Sequence, residues 1–263
     1  MNERTVLDPG QVPITNSTLP LIYQFKTMEN FIIHKAATRG IANHGWLNSA
    51  HSFSFGSYYN PERMNFGVLR VLNDDTVDGG RGFGDHPHDN MEIISIPLEG
   101  DLVHKDSMGN EAIIRKGEIQ AMSAGTGIYH SEFNKDGSAP VKFLQIWLYP
   151  NKRNVTPRYD QVKIDTTEKN VFHQILSPNA NDVGVWIHQN AWFNMGKFDA
   201  GAETTYELND KKNGVYAFIL SGNVTINGQA LESRDGMGIV ADSLTVKADT
   251  EAEILLMEVP MEL

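Results

Sequence analysis

Gly82-Phe-Gly-Asp-His-Pro-His88, answered further along by His130-Ser-Glu132, decides how this chain is read. In a β-strand, residues i and i+2 point to the same face. Each segment therefore offers two metal-binding side chains on one face, His86 with His88 and His130 with Glu132. If both strands line one barrel, three imidazoles and a carboxylate converge on a single point, which defines a mononuclear site of nitrogen and oxygen donors. One His-x-His by itself reads equally well as a solvated strand edge; the second pair separates the two readings.

The surrounding sequence supports a β architecture. Phe66-Gly-Val-Leu-Arg-Val-Leu72, Glu92-Ile-Ile-Ser-Ile-Pro-Leu98 and Val141-Lys-Phe-Leu-Gln-Ile-Trp-Leu148 have strand length and composition, and turn signals such as Asp106-Ser-Met-Gly-Asn110 separate such runs. The second half repeats the scheme. Glu92 to Glu99 followed by Gly100 matches Gly214 to Ser221 followed by Gly222, and the strands ending at Leu148 and Val259 fall into place. On that register His86 and His88 lie opposite Leu208 and Asp210, and His130 lies opposite Leu244-Thr-Val246, so the second unit has no metal ligands. The expected fold is all-β, two tandem antiparallel β-barrels of jelly-roll type with few short helices. The expected division is an N-terminal extension over 1–28, a metal-binding barrel over 29–150 and a barrel without ligands over 158–263, the break falling in the linker-like Pro150-Asn-Lys-Arg-Asn-Val-Thr-Pro157.

Composition narrows the chemistry. With 22 Lys+Arg against 33 Asp+Glu the formal charge is −11, which disfavours direct nucleic-acid binding through phosphate neutralisation. There is no cysteine, so thiolate sites, disulfides and cysteine nucleophiles are excluded. No apolar run reaches the ~20 residues that span a bilayer, and residues 1–27 lack a signal-peptide pattern. The expectations are no membrane partner, a cytoplasmic location and a monomer. The segment before Met28 carries Pro9, Gly10, Pro13 and Pro20 and reads as an extended arm.

With its glycines added, the first unit resembles the cupin family, reading Gly80, His86, His88, Glu92 and Gly100, then Gly117, Gly125, His130 and Asn134. It resembles the pirin branch of bicupins more closely, through His44-Gly-Trp-Leu47, His51-Ser-Phe-Ser-Phe55, Leu69-Arg-Val-Leu-Asn-Asp74, Gly82 to His88, His104-Lys-Asp-Ser-Met-Gly109 and Ser123-Ala-Gly-Thr-Gly127. The resemblance is dense over residues 30 to 150 and thin beyond. It implies a bicupin fold with His86, His88, His130 and Glu132 as the metal ligands. Glu92, a ligand in many other cupins, is expected instead as a supporting or pocket carboxylate. His44 and His51, with Trp46, Phe53 and Phe55, are expected to form a buried wall, His188 to pack structurally, and His34, His104 and His173 to have no chemical role.

An open site of nitrogen and oxygen donors suits Fe(II), Mn(II), Ni(II), Co(II) or Cu(II), and the pirin resemblance puts iron first. The activity it implies is quercetin 2,3-dioxygenase: opening of a flavonol's central ring by O2 with release of carbon monoxide, Glu132 serving as general base. The reading from another class is a non-enzymatic, metal- and redox-responsive regulator acting through protein partners.

Overall fold

The computed structural model describes residues 31–262. The extension expected over 1–28 lies outside them. Among the described residues the secondary structure is strand throughout apart from one 3-10 turn, Ala36–Thr38.

Each half is built from a seven-stranded and a four-stranded sheet facing one another, a jelly roll rather than a barrel closed by continuous hydrogen bonding. In the first half the small sheet runs Gly82–His88, Ile128–Asn134, Leu102–Asp106, Glu111–Ile114. In the second half Glu203–Glu207, Ser243–Ala248, Val224–Ile226 and Gln229–Leu231 repeat that order. The large sheets centre on Glu92–Glu99 beside Val141–Leu148, and on Asn213–Ser221 beside Ala252–Pro260.

Alternation along these central strands sorts the side chains. Ile94, Ile96, Leu144, Ile146 and Leu148 face outward from the first unit and join Leu176, Phe193, Phe218, Leu255 and Met257 in one apolar seam between the halves. Burying each such side chain contributes roughly 1.5–3 kcal/mol, so this seam is a major fixed element of the fold. Ile93, Ser95, Gln145 and Trp147 alternate with them and face the interior of the first unit, where the donors lie.

The large sheets also exchange edge strands. Phe31–His34 pairs with Gly236–Ile239 of the second half, and Arg158–Lys163 pairs back onto Glu118–Ser123 of the first. Sheet membership therefore departs from a cut between 150 and 158: residues 31–34 build the second unit and residues 158–163 complete the first. The repeat register is otherwise as the sequence suggests, since Glu92 pairs with Leu148 as Gly214 pairs with Val259. It differs at one place. Leu244 pairs with Tyr206 as His130 pairs with His86, which sets Tyr206 and Leu208, rather than Leu208 and Asp210, against the two histidines.

Candidate metal centre

The two histidine strands are hydrogen-bonded neighbours, with His130 directly opposite His86. A bulge follows, so that Glu132 stands opposite Phe83. Gly82 permits this close approach, because a Cβ there would collide with the Glu132 carbonyl oxygen and the Phe133 backbone. The result is a tight group of three imidazoles. Ring centroids lie 4.4 Å apart for His86 and His130, 4.9 Å for His88 and His130, and 4.9 Å for His86 and His88. One donor nitrogen from each lies within 4.8 Å of the others.

Their protonation suits a cation. His86 Nδ1 sits 2.8 Å from the Gly84 carbonyl oxygen, which fixes the proton on Nδ1 and leaves the Nε2 lone pair free. Nε2 of His88 and both ring nitrogens of His130 are buried without a hydrogen-bond partner. Burial, reinforced by the neighbouring imidazoles, lowers the His88 pKa to about 4 and that of His130 to about 2. Neutral imidazoles with unpartnered buried nitrogens are costly to leave unsatisfied, and they fit a divalent transition metal.

Glu132 is buried below this group. Its Oε1 accepts from Ser95 Oγ at 2.9 Å and its Oε2 from Gln145 Nε2 at 2.6 Å. Burial raises its pKa against those hydrogen bonds. Its donor oxygen groups with His130 and with His104, a histidine expected from the sequence to have no chemical role. His104 pairs directly with Glu132 across the next strand, and its Nε2 meets Asp106 Oδ2 at 3.1 Å. The signal was available in His104-Lys-Asp106, another alternate-residue pair, but its position beside Glu132 depends on long-range strand pairing.

Glu92 lies elsewhere. It shares a face with Ile94 and Ile96, accepts from Ser123 Oγ at 2.7 Å, and is buried in the seam between the halves near Arg158 and His188. Burial pushes its pKa up to about 7. This corrects the expectation of a carboxylate supporting the metal pocket. The strand carrying His88 ends before Asn90, whose φ of 45° turns the chain, and Glu92 opens a strand of the other sheet, so parity does not carry across.

The expected aromatic wall also divides. His44 is exposed, while His51 is buried and Phe53 belongs to the seam. Phe55 packs 5.3 Å from Trp147, whose ring stands 4.8 Å from His88, giving an apolar flank beside the imidazoles.

Paired jelly rolls with a histidine-lined interior in the first define a cupin-type metal-binding protein, so a metal site is indicated here. The pirin family model matches residues 33–148, and the model described as quercetinase C-terminal cupin domain matches residues 174–259. The chain belongs to the pirin family. It is 41% identical over 229 residues to quercetin 2,3-dioxygenase of Escherichia coli K12, covering 87% of this chain and 98% of that one. It is 40% identical to a putative quercetin 2,3-dioxygenase of Pseudomonas aeruginosa, over 84% of this chain and 95% of the relative. The crystal structure of the Escherichia coli pirin YhhW in complex with nickel(II) superposes with a TM-score of 0.83 at 39% identity, over 88% of this chain and 99% of that one.

Proposed function

We propose that this protein is a metal-dependent flavonol dioxygenase of quercetin 2,3-dioxygenase type, acting in the cytoplasm as a monomer on a small flavonol or related enol and O2. The observation that carries the reading is the convergence of three imidazoles beside a buried carboxylate. His86, His88 and His130 would hold one divalent ion, with Glu132 as the fourth ligand, and iron(II) is the ion we assign over Mn, Ni, Co or Cu. When bound there, such an ion would supply Lewis-acid chemistry that acidifies the flavonol's 3-hydroxyl.

The chain's own groups supply the rest. Glu132 is the general base: a carboxylate oxygen released from Ser95 or Gln145 receives the 3-hydroxyl proton. Trp147 and Phe55 offer flat apolar surface beside His88, against which an aromatic substrate stacks. His86 and His88 are only half-buried, which leaves the imidazole group accessible from that side. The low-polarity surroundings of His130 and Glu132 strengthen charge interactions with the deprotonated substrate.

Oxygen uptake and carbon monoxide release with quercetin test the proposal, comparing wild type with Glu132→Gln at equal metal content. Turnover in wild type and its loss in the variant are expected. If metal-replete wild type consumes no oxygen with flavonols, the dioxygenase reading falls and the regulatory reading replaces it.

A further inference from the structure

His104 has the local surroundings of a metal ligand. A histidine bound to a metal through one ring nitrogen commonly donates its other N–H to a carboxylate, which orients the ring and raises its basicity. Here Nε2 meets Asp106 Oδ2 at 3.1 Å, and Asp106 is itself fixed by Asn110 Nδ2 at 2.8 Å and by the main-chain N–H groups of Met108 and Asn110. The Tyr159 ring, 4.7 Å away, covers the imidazole. That leaves Nδ1, which is buried and has no hydrogen-bond partner. An imidazole whose side chain is wholly inaccessible and whose acceptor nitrogen is bare is an unsatisfied polar group. Donor atoms of His104, His130 and Glu132 lie within 4.8 Å of one another.

We propose that the first unit contains a second, deeper cation seat formed by His104, His130 and Glu132, adjoining the rim seat of His86, His88 and His130. This rests on reading the interior as a metal centre, but not on any activity. His130 belongs to both groups, and Glu132, the proposed fourth ligand at the rim, is shared with the deeper one. A neutral imidazole has one lone pair for a metal, its other nitrogen carrying the proton. The two seats therefore compete for a single ion rather than holding two.

They differ in access. His104, His130 and Glu132 are each at most 2% exposed, whereas His86 and His88 are half-buried at the rim. An ion in the deep seat lies among more deeply buried ligands than one held by His86 and His88. Two imidazoles and a carboxylate suit nickel(II), cobalt(II) and copper(II).

The test uses the full chain with His86→Ala and His88→Ala together, which removes the rim seat and leaves the deep one. Nickel(II) titration by calorimetry should still show one ion per chain. Adding Asp106→Asn in that background should weaken binding roughly 10- to 100-fold, the usual effect of losing a carboxylate that orients a ligand, and adding His104→Ala should abolish it. Copper(II) electron paramagnetic resonance of the double variant provides a reading that does not require His104→Ala to fold, and coupling to two nitrogens is expected. Loss of all nickel binding in the double variant, binding indifferent to Asp106→Asn, or coupling to one nitrogen or none would each overturn the deep seat. None of these results bears on whether the wild-type protein opens quercetin.

Discussion

The two halves share one topology and fill its interior with opposite chemistry. By strand register, His86, His104, His130 and Glu132 of the first unit correspond to Tyr206, Ile226, Leu244 and Val246 of the second. Ser95 and Gln145, which hold Glu132, correspond to Ala217 and Leu256. Every one of those second-half residues belongs to a single buried apolar cluster. The difference teaches that the jelly roll does not itself create the metal site. The fold supplies a space between two sheets, and the residues lining it decide whether that space becomes a core or a donor cage. The second unit keeps a buried carboxylate, Glu258, at the position of Trp147, but it is fully used, accepting from the Tyr206 hydroxyl at 2.7 Å, the main-chain N–H groups of Asn209 and Asp210, and Asn213 Nδ2.

The largest effect expected from this contrast is on metal content. His130→Ala, which removes a ligand common to both groups, should reduce the bound ion to background by elemental analysis, His88→Ala should weaken binding while the deeper group still takes an ion, and His188→Ala should retain the full content. Equal loss in all three would erase the distinction between an imidazole cage and a structural histidine. Next comes stability. Leu256→Ala, at the counterpart of Gln145, should lower unfolding free energy by about 2–5 kcal/mol in denaturant melts. Gln145→Ala removes one hydrogen-bond donor from Glu132 and should cost roughly 1–3 kcal/mol. A Gln145 variant as destabilised as the Leu256 variant would mean that the first interior is packed like the second.

Chemistry follows. Glu132→Gln should reduce turnover by roughly 10²-fold or more while most of the metal remains, because an amide oxygen can still bind an ion but cannot take a proton at neutral pH. Metal loss in step with activity would make Glu132 only a ligand.

The smallest effect concerns the seam. Glu92 has its folded pKa raised from 4.5 to about 7. Its contribution to stability is therefore present below pH 4.5 and lost as pH rises towards 7, where the unfolded chain has released a proton that the folded one still holds. Glu92→Gln should remove this decline, on the order of 1–3 kcal/mol between pH 4.5 and 7.5, without changing metal content. A drop in metal content would return Glu92 to the metal site.

Much of this was legible in the sequence because the strand period of two is exact. It placed His86 with His88 and His130 with Glu132, and the glycines after Glu99 and Ser221 aligned the halves. Three features were not legible. Glu92 changes face because the turn at Asn90 separates two sheets, and spacing counted across a turn carries no facing information. His104 reaches Glu132 through pairing of strands distant in sequence. The exchange of Phe31–His34 and Arg158–Lys163 depends on which exposed sheet edge each strand finds, and composition does not encode that choice.

The central claim, that one half binds a metal and its twin cannot, is tested most directly by an anomalous difference map from crystals of the nickel-loaded protein. The account predicts one peak per chain inside the first unit, with His130 among its ligands, and none within the second. A peak beside Tyr206 and Glu258, or no ordered ion in contact with His130, would contradict it.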